Sequence, residues 1–280
     1  MSMKIVRAAL LSCAVLAVGP AMASHAWGGY HWARTSNPLK LTVERQLTSV
    51  WVSSYNGAVS DWDQSTALAL TPAGNNAGTD PKKCTAITGK VLVCNSAYGK
   101  RGWLGIATIW ASGSHITKAT TKLNDSYHGS PPYNTPEWRN FVTCQEIGHD
   151  FGLAHQDENF NNANLGSCMD YTNSPGTNQH PNSHDYQQLT TIYSHLDSSN
   201  TSTTQTTKFG VRVPGQAPIA PPGLNEAAGD SPAEWGRAIH NDGQGRPDVY
   251  VQDLGGGRKK ITHVLWAIGE GPAGGHHDDH

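Results

Sequence analysis

The sequence predicts an α+β fold, and three observations carry that prediction. Five runs of alternating or apolar residues read as strands before residue 125, one segment of helical period lies between the first two of them, and a longer helix follows the fifth. With 280 residues and 37% hydrophobic content, the chain can bury one substantial core and a small second module.

The elements follow in order. "NPLKLTVERQL" alternates apolar residues at Leu39, Leu41 and Val43, which predicts a strand with one buried face. Trp51, Tyr55, Val59 and Trp62 recur at helical spacing, so residues 49 to 64 are predicted as a helix packing on that face, with Asn56-Gly57 as a weak point in its middle. "TALALT", "KVLVC", "WLGIATIW" and "HITKATTKLN" supply four more strands. A helix is predicted from Pro136 to Phe151, with Thr135 as N-cap, Pro136 at the first helical position and Gly152 as a left-handed stop. "HDYQQLTTIYSHL" predicts a last helix over 184 to 196.

The two ends differ in character. Lys4 and Arg7, an apolar run from Ala8 to Val18 and Ala21-Met22-Ala23 form the three regions of a secretory signal, so residues 1–23 are expected to be removed. That apolar run is too short to span a bilayer and no later stretch is longer, so a secreted chain without a membrane span is expected. Residues 24–196 form the main domain and 197–229 a Ser/Thr/Pro/Gly-rich linker. Residues 230–270 read as a small β module, a hairpin around Gly255-Gly256-Gly257 in which no catalytic constellation stands out. A His/Asp-rich tail, 271–280, reads as a solvated end.

Net charge of −2 and 15% charged residues leave no basic surface for a phosphate backbone, which argues against nucleic acid as a partner. Without Cys13 in the signal, four cysteines remain, and three pairings are open to them. Cys84–Cys94 is favoured because it closes the short stretch "CTAITGKVLVC", and Cys144–Cys168 because it ties the start of the motif helix to "SCMDY".

The chemistry is concentrated in "CQEIGHDFGLAHQDE", residues 144 to 158. Gln145 and His149 are four apart on a helix and share a face, so both side chains reach one cation. Glu146 points to a neighbouring direction, where a carboxylate can take a proton from metal-activated water. Gly152 lets the backbone reverse so that His155 supplies a further ligand from outside the helix. This stretch, with the downstream methionine of "SCMDY", resembles the metzincin clan of zinc endopeptidases, whose signature is HExxHxxGxxH. The departure is Gln145, which stands where the clan has its first histidine and offers only a weak, neutral oxygen ligand.

The resemblance implies a metzincin-like catalytic domain: a twisted mixed sheet, an active-site helix, a Met-turn and a C-terminal helix. It also implies a bound zinc ion, a peptide or protein substrate, Glu146 as general base, His149 and His155 as ligands, and Met169 beneath the metal. Tyr171, two residues past Met169, stands where the astacin and serralysin branches carry a tyrosine that ligates zinc or stabilises the oxyanion. Asp157 is an alternative ligand to Gln145, or else the carboxylate of a loop turn. "WLGIATIW" resembles the free edge strand on which such enzymes lay their substrate, at Gly105, Ile106 and Ala107. The competing expectation is a noncatalytic peptide-binding protein whose zinc site is weakened or lost through Gln145.

Overall fold

A computed structural model describes residues 25–75, 80–202 and 227–272. The expected signal peptide, most of the expected linker and nearly all of the His/Asp-rich tail lie outside these residues. The fold is a mixed α+β arrangement of one nine-stranded sheet and five helices among the described residues. The strands are β1 (His31–Trp32), β2 (Leu39–Gln46), β3 (Leu68–Asn75), β4 (Lys90–Ser96), β5 (Trp103–Ser112), β6 (His115–Asn124), β7 (Arg237–Asn241), β8 (Pro247–Gly255) and β9 (Arg258–Trp266). The helices are α1 (Ser49–Trp62), α2 (Asp125–His128), α3 (Pro136–His149), α4 (Ser183–Ile192) and α5 (Pro232–Trp235).

Along the sheet the order is β3-β2-β4-β6-β5-β9-β8-β7, with β1 paired to the start of β6. Strands β2, β3, β4 and β6 are mutually parallel, and β5 turns back antiparallel to β6. All five strands read from the first half of the chain are present. So is the Gly255-Gly256-Gly257 hairpin, in which all three glycines take positive φ.

The helical period of α1 has a direct consequence in packing. Trp51, Tyr55, Ala58, Val59 and Trp62 are buried on one stripe, and the helix runs unbroken through Asn56-Gly57. Burying each large side chain contributes about 1.5–3 kcal/mol, which outweighs the cost of about 1 kcal/mol for a glycine inside a helix. One apolar cluster joins this stripe to Leu39, Leu41 and Val43 of β2 and to Phe141, Val142 and Ile147 of α3. The indole of Trp62 donates to the Cys144 carbonyl at 3.0 Å, fixing α1 against α3.

Four expectations need correction. The segment 230–270 is not a separate module: β7, β8 and β9 continue the main sheet, and β9 pairs with β5 from Trp103 to Ser112. A second apolar cluster of Trp103, Ile106, Trp235, Tyr250, Val264 and Trp266 seals that junction, which is why the hairpin cannot stand apart. Strand β5 is therefore flanked on both sides, and Gly105, Ile106 and Ala107 offer no free edge. Residues 197 to 202, expected as linker, are pinned to the N-terminal segment through Asp197 N–H to Arg34 O and Thr201 N–H to Ala33 O. The last helix also stops early, at Ile192, where Tyr193 turns its hydroxyl to the Phe151 carbonyl.

Both cysteine pairs are bonded as favoured, Cys84–Cys94 and Cys144–Cys168. No helix among the described residues is long and apolar enough to cross a membrane.

Candidate metal centre

Helix α3 is set by its ends. The Thr135 hydroxyl accepts from Trp138 N–H and Pro136 occupies the first turn, as the sequence predicts. At the other end, Gly152 N–H bonds the His149 carbonyl and Leu153 N–H bonds the Gly148 carbonyl, the paired bonds of a glycine-terminated helix. Gly152 takes φ +96°, and a Cβ there would lie 2.2 Å from the Tyr30 carbonyl oxygen, so only glycine fits. The chain reverses at this point and delivers His155 beside His149.

Below the helix, Met169 is fully buried, and its sulfur occupies the space a Cβ on Gly148 would need, 2.6 Å away. The disulfide Cys144–Cys168 and a bond from Gln156 N–H to Met169 O lock this turn beneath the helix.

Three imidazoles then converge. Ring nitrogens of His149, His155 and His263 lie within 4.8 Å of one another, and all three residues are buried. His149 Nδ1 donates to the Leu153 carbonyl at 2.8 Å and His155 Nδ1 to Glu158 Oε1 at 3.2 Å. Both Nε2 atoms are thereby left as lone-pair donors, and they face each other at 3.1 Å. Two ligands on a tetrahedral zinc with bonds near 2.0–2.1 Å stand about 3.3 Å apart, so this spacing suits one shared ion. His263 stacks on His149 with ring centroids 3.9 Å apart, and neither of its nitrogens has a hydrogen-bond partner. Burial holds all three histidines neutral: His155 falls to about 4, and His149 and His263 are pushed well below the usual range. Neutral imidazole is the form that binds a metal.

His263 was not among the residues singled out from the sequence. It lies in β9 opposite Ala107 of β5, so the strand pairing itself brings it to the face that α3 covers. The available signal was the alternation of "KKITHVLW", which places Ile261, His263 and Leu265 on one inward face.

The other expected site residues divide. Glu146 is 1% exposed and faces β5, where the Ala107 backbone favours its ionised form and no side chain bonds its carboxylate. Burial pushes its carboxyl well above the usual range and the neighbouring Asp150 adds to that. A Cβ on Gly105 would come within 2.6 Å of Glu146 Oε1, so this glycine makes room for the carboxylate. Gln145 is fully buried and both atoms of its amide lack partners.

Asp157 Oδ1 accepts from Asn159 N–H at 2.6 Å and Oδ2 from the Asn162 amide at 2.8 Å, so its carboxylate closes a loop turn. Tyr171 also departs from expectation. Its ring packs on His155 at 4.0 Å while its hydroxyl donates to Asp248 Oδ2 at 3.0 Å, which engages the proton it would lend to an oxyanion. Asp248 in turn accepts from His240 Nδ1 at 2.8 Å, so the C-terminal hairpin supplies a polar layer behind His155 as well as His263.

The centre is closed on its outer side. Trp27, from the N-terminal segment, packs on the His263 ring with centroids 3.7 Å apart. No family model and no curated protein matches the chain. Two solved structures are similar in part: "Structure of myroilysin", at 14% identity and TM-score 0.33, covering 61% of this chain and 98% of that one, and "Crystal structure of myroilysin", at 12% identity and TM-score 0.30, covering 63% and 97%.

Proposed function

We propose that the chain is a secreted zinc-dependent endopeptidase whose metal is held by His149, His155 and His263, the last standing in for the histidine that Gln145 replaces. The observation that supports it is the convergence of three neutral, buried imidazoles beside a buried carboxylate, Glu146. Three protein ligands and one open position is the count of a catalytic zinc site, and a bound ion there would acidify a water and polarise a substrate carbonyl.

The protein's own part is proton handling. Glu146, its carboxyl raised by burial, takes the proton of the attacking water and gives it to the leaving amine. Glu158 and the Leu153 carbonyl hold the two motif histidines in the tautomer that keeps Nε2 free. Strand β9 has two roles in this arrangement, because it carries His263 and also fills the side of β5 where a substrate strand would add. A peptide that pairs with β5 must displace β9, so the conformation described is closed to substrate in that register.

The same closure favours a second reading, a zinc-bound protein that does not cut. Zinc content and cleavage of an unstructured protein, measured on the wild type and on Glu146→Gln, separate the two. Zinc in both with turnover only in the wild type supports the peptidase. Zinc in both with turnover in neither supports the noncatalytic reading. Absence of zinc, or equal turnover in both, removes the mechanism.

A further inference from the structure

A second group of metal-binding side chains lies apart from the first and shares no residue with it. His31 of β1 comes together with His195 and Asp197 after α4, where the N-terminal strand meets the end of the helical segment, and His115 at the start of β6 contacts Asp197 from outside that group. Asp197 Oδ1 is 3.1 Å from His115 Nε2, 3.4 Å from His31 Nε2 and 3.6 Å from His195 Nε2. His31 Nε2 and His195 Nε2 are 3.3 Å apart. These separations scatter around the roughly 3.3 Å between ligand atoms of a tetrahedral zinc site.

The outer contacts orient the donors inward. His31 Nδ1 donates to the Gly29 carbonyl at 2.9 Å, which turns Nε2 towards the cluster. Asp197 Oδ2 accepts the Arg34 N–H at 2.9 Å, which leaves Oδ1 for the centre. Asp197 Oδ1 and His195 Nε2 both face His31 Nε2, so a cation placed among these three atoms would meet a donor atom from each residue.

We infer that His31, His195 and Asp197 bind a divalent metal of the zinc class as a structural site, with His115 holding the Asp197 carboxylate in place. Two imidazoles and one carboxylate form a nitrogen-and-oxygen donor set that suits zinc. Its effect is to staple β1 to the chain after α4. That staple matters at the first centre, because the segment it anchors also places Tyr30 against Gly152 and Trp27 over His263. The inference stands whether or not the chain cleaves peptides.

The test uses the full chain, stripped of metal with a chelator and then dialysed against low micromolar zinc, with zinc per chain read by elemental analysis. His195 is half exposed, so His195→Ala is expected to fold. The residues of the tail are identical in both proteins and cancel in the comparison. His195→Ala and the double variant His115→Ala/His195→Ala are expected to hold one zinc fewer than the wild type. Zinc affinity at this site is expected to fall by at least the roughly hundredfold that marks the upper end of outer-shell changes. The zinc-dependent protection of residues 25–34 from hydrogen exchange is expected to go with it. Equal zinc content in the wild type and the double variant, or a difference appearing only at millimolar zinc, overturns the inference.

Discussion

Replacing His263 with leucine is expected to change stability in opposite directions with and without zinc. In the zinc-free chain this imidazole is 2% exposed and both nitrogens are unpaired. An unsatisfied buried polar group costs about 1–3 kcal/mol, while the stacking lost against His149 and Trp27 is worth about 0.5–1.5 kcal/mol. His263→Leu is therefore expected to leave zinc-free stability unchanged or to raise it by about 1 kcal/mol. Zinc at a hundred times its dissociation constant adds about 2.7 kcal/mol to the folded state. Loss of one ligand weakens binding by at least about a hundredfold, which reduces that term to about 0.4 kcal/mol. At about 2–4 °C per kcal/mol for a body of this size, the zinc-induced rise in Tm should fall from about 8 °C to about 1 °C. The assay is thermal unfolding with and without fixed free zinc in a His195→Ala background, so that only the first centre is titrated. Adding Gln145→His to His263→Leu is expected to restore much of the shift, because residue 145 lies on the His149 face of α3. An undiminished zinc shift in His263→Leu would refute the assignment of this residue as a ligand.

Three further outcomes follow from the geometry. Gly105→Ala places a methyl 2.6–2.8 Å from Glu146 and Val142, so it is expected to cost about 1–3 kcal/mol in chemical denaturation and to depress any hydrolysis by moving the carboxylate. Gly152→Ala combines a positive φ with a Cβ 2.2 Å from the Tyr30 carbonyl, and should destabilise by more than about 2 kcal/mol; a shift below 0.5 kcal/mol would contradict the packing of the N-terminal segment on α3. Burial lowers His128 from 6.5 to about 4, so the unfolded chain takes up this proton first as pH falls. The stability tied to it is full above about pH 6.5 and is lost between there and about pH 4, by about 3 kcal/mol. In chelator, His128→Phe should flatten urea-derived stability across that range, and an unchanged slope would remove the assignment.

How far the sequence carries depends on whether a feature is local. The cap at Thr135, the stop at Gly152, the buried stripe of α1 and the placement of His155 near His149 all follow from residues within a few turns of one another, and all are present. Strand β5 is more instructive. "WLGIATIW" is an unbroken apolar run, and Trp103 through Ala111 are all buried, as expected of a strand covered on both faces and paired on both sides. The resemblance to a substrate-binding edge strand pulled the other way, although an exposed edge would call for polar or charged residues on the open side.

The third imidazole of the candidate site could not come from motif spacing, because His263 follows His155 by more than a hundred residues and reaches it only through the pairing of β9 with β5. Yet its chemistry was visible. A histidine at an inward position of an alternating apolar strand is a buried polar group that needs a partner. Gln145, the weak member of the motif, is a centre in need of a stronger donor. The paired register of Ala107 and His263 brings this histidine to the face of α3. On the proposed reading, the strand that closes the sheet would also complete the candidate metal site, supplying the imidazole that position 145 lacks. It also makes the sequence of "KKITHVLW" as much a part of the centre as "QEIGHDFGLAH".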